Sequence, residues 1–298
     1  MLVIIVCVGA AAGCVGRTRV DRSVPTSKAT ATVEELIEKL EVFGDIRTMK
    51  STVELRLAVV TNDRLSKKGR TGRNRKIQSV QEFTEVRGFI LIERPASIRT
   101  IAEVPVVKSK AFDMVSNGVE FKVYIPPTNR FLVGLEAIIE SPKERVDRVR
   151  PQHLLEAVLI DPPRENESYR MLENVLHGKR SYQIVHLMSD DGNGKVKLSR
   201  KIWFGGSGLQ IARIQIFDDL ADLVTDVSYA KWSMAKELPY PRTIFLTRPK
   251  DGYEVQIRIV NPGLNEPLSK RSFELEAPMG IKIERIGESM KTHPEGTT

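Results

Sequence analysis

The chain has 298 residues, 41% of them hydrophobic and 28% charged, a balance that excludes a fibrous or low-complexity chain and is ordinary for a folded globular one. A formal charge of +8 and a pI near 9.4 favour anionic partners such as lipid headgroups, cell-wall polymer or nucleic acid, and say nothing about fold. Both cysteines, Cys7 and Cys14, lie near the amino terminus, which leaves the rest without a disulfide framework, a thiolate metal site or a cysteine nucleophile. His153, His177, His186 and His293 stand apart, with no neighbour at metal-ligand spacing.

Leu2 to Ala12 is an almost unbroken apolar run followed by Gly13 and Cys14. It is shorter than the ~20 residues needed to span a bilayer and has the length of a signal-peptide core ending in small residues. Ala11-Ala12-Gly13-Cys14 resembles the bacterial lipobox. The resemblance implies that residues 1–13 are removed as a signal peptide, that Cys14 is diacylated and that the new amino terminus is acylated. Two features depart from the pattern: no Lys or Arg precedes the run, and Ala11 stands where Leu is usual. Residues 14–31 are polar and aperiodic, as a tether should be. Acyl chains contribute ~0.8 kcal/mol per buried methylene, so several make anchoring effectively permanent. Val15 is not the Asp that marks inner-membrane retention in enterobacteria, so the expectation is an anchor in the outer membrane if the cell has two.

The first regular element is a helix. Thr32 with Glu35 reads as a capping box, Val33, Leu36, Ile37, Leu40 and Phe43 recur at helical spacing, and Gly44 stops the run. Nearly everything later reads as strand. Val53, Leu55, Leu57 and Val59 alternate with polar residues, Phe89 to Ile92 is a short apolar run, and Ile98 to Val104 is extended. Ser116-Asn117-Gly118 joins two further strands as a hairpin, Asp190 to Gly194 joins another pair, and Lys250-Asp251-Gly252 precedes the alternating Tyr253, Val255, Ile257 and Ile259. One more helix is expected over Gln152 to Ile160. The pattern predicts a mainly β protein: a strongly curved antiparallel sheet or unclosed barrel of about eleven strands, its open face covered by the two helices. A domain boundary at Pro162 to Glu167 is an alternative, but strands on both sides share one style, which favours a single domain over residues 32–280 and a disordered tail over 281–298.

Four segments together resemble the periplasmic lipoprotein carriers and receptors of the LolA and LolB type. They are Leu36 to Leu57, Gly88 to Arg94, Met114 to Gly134, and Leu238 to Ile259 with Phe273 ahead of Ala277-Pro278. The resemblance rests on apolar alternation and turns and spans most of residues 32–280. It implies an unclosed barrel with helices as a lid over an apolar cup that takes the acyl chains of a lipoprotein. A lipid anchor fits the tethered, LolB-like arrangement better than a soluble shuttle. The chain is longer than minimal members of that group, with a basic segment and an insertion over Ser141–Glu167.

No G-x-S-x-G elbow, H-E-x-x-H or P-loop is present, and the expectation is a protein that is not an enzyme and uses no cofactor or metal. Asp218, Asp219, Asp222 and Asp226 read as a solvated loop, and His186 as a structural histidine. Leu55, Leu57, Phe89, Leu91, Phe121, Val123, Trp203 and Trp232 are candidates to line a ligand cup, although a filled core explains the same alternation. The basic run containing Lys67, Lys68, Arg70, Arg73, Arg75 and Lys76 suits an anionic membrane surface or a long loop. It lacks the interleaved aromatics of a nucleic-acid patch. Lipid or lipoprotein handling at the cell envelope is therefore the leading expectation, and the second is a structural lipoprotein that docks an envelope protein on a filled core.

Overall fold

A computed structural model describes residues 30–61, 79–82, 85–105, 109–137, 148–178, 180–190, 192 and 194–286. Helix α1, Val33–Glu41, starts at the expected capping box: the Thr32 hydroxyl accepts from the Glu35 amide while the Glu35 carboxylate accepts from the Thr32 amide. Regular α-helix ends at Glu41, and a 3-10 turn over Val42–Asp45 carries the chain through Gly44. The buried stripe is Leu36, Ile37 and Leu40, with Phe43 from the turn.

The strands follow in chain order: β1 (Thr48–Thr61), β2 (Ser79–Glu82), β3 (Val86–Glu93), β4 (Ser97–Glu103), β5 (Lys110–Ser116), β6 (Glu120–Ile125) and β7 (Arg130–Leu135). Helix α2 spans Pro151–Val158. After it come β8 (Tyr169–His177), β9 (Arg180–Asp190), β10 (Val196–Gly205), β11 (Gln210–Phe217), β12 (Leu223–Ala235), β13 (Leu238–Arg248), β14 (Tyr253–Ile259), β15 (Gly263–Leu264) and β16 (Ile283–Ile286). All belong to one sheet, ordered β16-β7-β6-β5-β4-β3-β1-β14-β13-β12-β11-β10-β9-β8, with β2 and β15 attached to β1. Neighbours are antiparallel except β16 and β7. The two ends of the order, β16 and β8, do not pair, so the sheet is unclosed.

The expected count of about eleven strands is too low; the described residues hold sixteen. The additions are short or masked by side-chain chemistry. β15 has two residues, and β8 exposes most of its side chains, so neither shows an apolar period. The sheet runs without a break across the Pro162–Glu167 segment, with β1 as the hinge between halves: β3 pairs on one side of it and β14 on the other. Within the stretch assigned to the tail by sequence, Ile283–Ile286 form β16 beside β7, and Ile281 packs against a small second core. That core, Val115, Phe131 and Leu275, lies on the outer face and is covered by the C-terminal segment that carries Phe273 and Ala277. Arg99 braces the same segment by donating to the carbonyls of Ser272 and Glu274, and its guanidinium forks onto buried Asp113 at 3.0 Å for both bonds.

The main core occupies the inner face. Met49, Val53 and Leu55 from β1, Ile90 and Ile92 from β3, and Ile244 and Leu246 from β13 pack in one cluster with both helices. Gly88 stands on that face where an added Cβ would fall 1.8 Å from the Ile101 carbonyl oxygen, so only glycine lets β3 and β4 approach there.

Candidate functional site: an apolar cavity beneath the second helix

Helix α2 begins at Pro151, whose fixed φ and missing amide suit a first helical position. Leu154, Leu155, Ala157 and Val158 give it an apolar face turned to the sheet. Its polar groups are held by the strands it crosses. The Tyr229 and Tyr240 hydroxyls donate to the carbonyls of Ala157 and Val158, at 3.1 and 2.6 Å, which satisfies two acceptors that a helix C-terminus leaves open. Burial keeps both phenols protonated by pushing their pKa upward. His153 Nδ1 lies 2.5 Å from the Tyr253 hydroxyl. Burial, reinforced by Arg248 and Arg150, holds His153 well below the usual imidazole range, so it is neutral. At the other end, burial raises the pKa of the Glu136 carboxyl, against the opposing effects of Ser116, the Arg150 charge and the Gln152 backbone.

The chain leaving α2 is clamped by two arginines. Arg200, almost fully buried on β10, donates to the carbonyls of Asp161 and Pro162 and pairs with buried Glu167. Burial alone would raise the Glu167 pKa, but the hydrogen bonds and charge of Arg200 outweigh it and lower the value. Arg94, just past β3, pairs with Asp161 and donates to the Ile160 and Ile46 carbonyls, tying the end of the helix to the start of β1.

Between the N-terminal half of α2 and strands β1, β3, β5, β6 and β14 lies a cavity of about 580 Å³. Its twelve lining residues are all apolar. The volume falls within the ~300–1,000 Å³ of small-molecule sites, which are mostly apolar. Left sealed and empty it would cost on the order of 14 kcal/mol at ~24 cal/mol per Å³, comparable to the whole stability of a domain. Such a space therefore opens to solvent or holds an occupant.

Of the eight residues read as cup-lining, Leu55, Leu57 and Val123 line this cavity. Phe89 and Leu91 face the outer side of the sheet, and Phe89 is 44% exposed. Their phase is set by register: Ser51 faces Ile90 and Leu55 faces Val86, so the inward set on β3 is Val86, Gly88, Ile90 and Ile92. Phe121 belongs to the core, with its ring over Gly134 and under the Arg150 guanidinium. Trp203 stands on the outer face, where Arg213 covers its ring and Gln215 accepts from its indole nitrogen. Ile202 and Phe204, which flank it in regular alternation, point inside instead. Trp232 packs edge-on against Phe43, beside α1 rather than in the cavity.

The other nine lining residues escaped the sequence reading: Val86, Ala111, Phe112, Met114, Ile125, Pro127, Val149, Leu154 and Val255. Leu154 sits on the apolar stripe of a helix that was itself legible, and Val86 follows once β3 is set against β1. Val149 and Phe112 border segments with no regular pattern. Cys14 and the six basic residues from Lys67 to Lys76 lie outside the described residues.

The other polar groupings are structural. Lys250 bridges Asp218 and Asp222, Arg213 pairs with Asp226, and Lys197 pairs with Asp219, so each acid of that loop has a cation. His186 Nε2 lies 2.7 Å from Glu173. Among the described residues no group of histidine, cysteine or carboxylates is placed to hold a metal, and no helix is long and apolar enough to cross a membrane.

No protein-family profile and no curated protein matches the chain. Solved structures do. A DUF1329 family protein from Desulfovibrio piger superposes with a TM-score of 0.50 at 12% identity, covering 80% of this chain and 95% of the other. A LolA superfamily protein from Nitrosomonas europaea superposes with a TM-score of 0.47 at 13% identity, covering 83% of this chain and 99% of the other. At such identities the likeness is one of fold. With one unclosed antiparallel sheet curving around two helices that cover its inner face, the chain is similar in fold to the DUF1329 family protein.

Proposed function

We propose that this protein binds acyl chains of a lipid or lipidated protein in the cavity beneath α2. It would do so at the cell envelope, on the periplasmic face of the outer membrane, where the acylated Cys14 holds it. The observation that carries the reading is the cavity itself, about 580 Å³ with an entirely apolar lining. A hydrocarbon chain entering it gains ~25 cal/mol per Å² of apolar surface removed from water and needs no polar partner inside. The cavity weighs against a solid core with only an outer docking surface. No covalent step is involved, since the work is transfer of apolar surface out of water.

Native mass spectrometry of the purified protein, with organic extraction of whatever leaves on denaturation, tests the proposal. The expected result is co-purified lipid, or uptake of a fatty acid or acylated peptide by delipidated protein. Met114→Trp, which fills the space from one wall, is expected to abolish uptake while the far-ultraviolet circular dichroism stays unchanged. Protein that neither carries nor takes up any acyl ligand, or a Met114→Trp variant that binds as well as the parent, would sink it.

A further inference from the structure

The sheet treats its two ends differently. At one end the C-terminal segment crosses the outer face and lays β16 along β7, covering that edge. At the other, β8 pairs with β9 on one side and, among the described residues, with nothing on the other. Bare edges are templates for further strands, and proteins blunt them with prolines, lysines, bulges or brevity. β8 is nine residues long with no proline or lysine and an unbroken register from Tyr169↔Met188 to His177↔Arg180, and its only acid or arginine side chains are Glu173 and Arg170. Tyr169, Met171 and Leu176 stand 47%, 50% and 46% exposed along it.

We infer that β8 joins two copies of this chain edge to edge, antiparallel about a two-fold axis at Asn174, into one continuous sheet. The hydrogen-bond parity allows it. His177 and Arg180 close a hairpin with two residues between them, and such a closing pair exchanges both hydrogen bonds. The odd-numbered residues of β8 therefore bond to β9, and Arg170, Leu172, Asn174 and Leu176 turn their amides and carbonyls to the free edge.

The side chains choose the register. About Asn174, Leu172 lies opposite Leu176 of the partner subunit, and Leu176 opposite Leu172 of the partner subunit, with the two Asn174 amides face to face. On the other side of the sheet Glu173 lies opposite Val175 of the partner subunit. An axis at Glu173 would set two carboxylates directly opposite each other, which is destabilising. An axis at Leu172 would leave Leu176 opposite Ser168 of the partner subunit. Leu172 already packs on the main core, so the chosen register extends the apolar inner face from one copy into the next. One strand pair is a small interface, and a dimer in the roughly micromolar range is expected.

Sedimentation velocity on the full chain carrying Cys7→Ser and Cys14→Ser, over a concentration series, should show reversible dimerisation. Asn174→Pro removes an edge amide without touching the β8–β9 ladder and should weaken the dimer tenfold or more; Leu176→Lys should act likewise. Asn174→Cys places two thiols on the axis at ~5.5 Å between α-carbons, within disulfide reach, and should crosslink on mild oxidation. A monomer at every concentration, a dimer indifferent to both Asn174→Pro and Leu176→Lys, or crosslinking of Glu173→Cys but not of Asn174→Cys overturns the inference. Acyl binding is read separately, so a monomer that still takes up lipid defeats the dimer and spares the cavity.

Discussion

Two carboxylates sit where the second helix meets the sheet, and burial raises the pKa of both Glu136 and Glu156. Glu136 keeps one oxygen, Oε1, buried without a hydrogen-bond partner, the physical content of that rise. A raised folded value means that the fold favours the protonated acid. Stability contributed by these groups is full below the ordinary value of 4.5 and is lost as pH climbs through the folded value. Asp113 and Glu167 run the other way, because their arginine partners lower them despite burial. Their contribution is present above the ordinary carboxylate range and is lost as pH falls through the lowered values. Glu136→Gln is therefore expected to raise the melting temperature near neutral pH and leave it unchanged below about pH 4, where the carboxyl is protonated in either state. Calorimetry at the two pH values checks it, and equal shifts at both would refute it. At this scale the sequence is least legible: Phe89-Ile90-Leu91-Ile92 has no alternation, and which two face inward is decided by the pairing of β3 with β1.

The helices and hairpins were legible because each carries its own signal. Thr32 and Glu35 announce α1, Pro151 opens α2, and the glycine turns mark three hairpins. β8 carried none, since its neighbours in the sheet, not its own composition, make it a strand. The seat of α2 was not legible either: its anchors come from β12, β13 and β14, far along the chain. Tyr229→Phe and Tyr240→Phe each leave a buried carbonyl without its donor, at ~1–3 kcal/mol. Hydrogen exchange of the α2 amides should quicken in either variant while β10 and β11 stay protected. Uniform quickening over the whole sheet would mean that the two hydroxyls support the fold generally and not the helix.

For the molecule as a whole, the C-terminal segment matters beyond its size. It covers Val115 and Phe131, braces Arg99 and supplies the last strand. Cutting the chain after Ser269 uncovers two apolar side chains, at on the order of 3–6 kcal/mol, and leaves the cavity lining intact. The truncated protein is expected to melt earlier yet take up acyl ligand at low temperature; loss of uptake with no change in melting would be the opposite result.

The central position of β1 also dictates when the molecule can assemble. Val53 must find Ile259, and Arg130–Leu135 must wait for Ile283–Ile286, so the earliest strands complete their pairing only with the latest ones. Contacts so distant along the chain slow folding because loop closure precedes any gain from them. If the chain crosses a membrane amino end first, β1 emerges long before β14 exists to cover it. Its apolar inner face then stands bare for most of the passage, and a holding partner during export would have its target in that stretch.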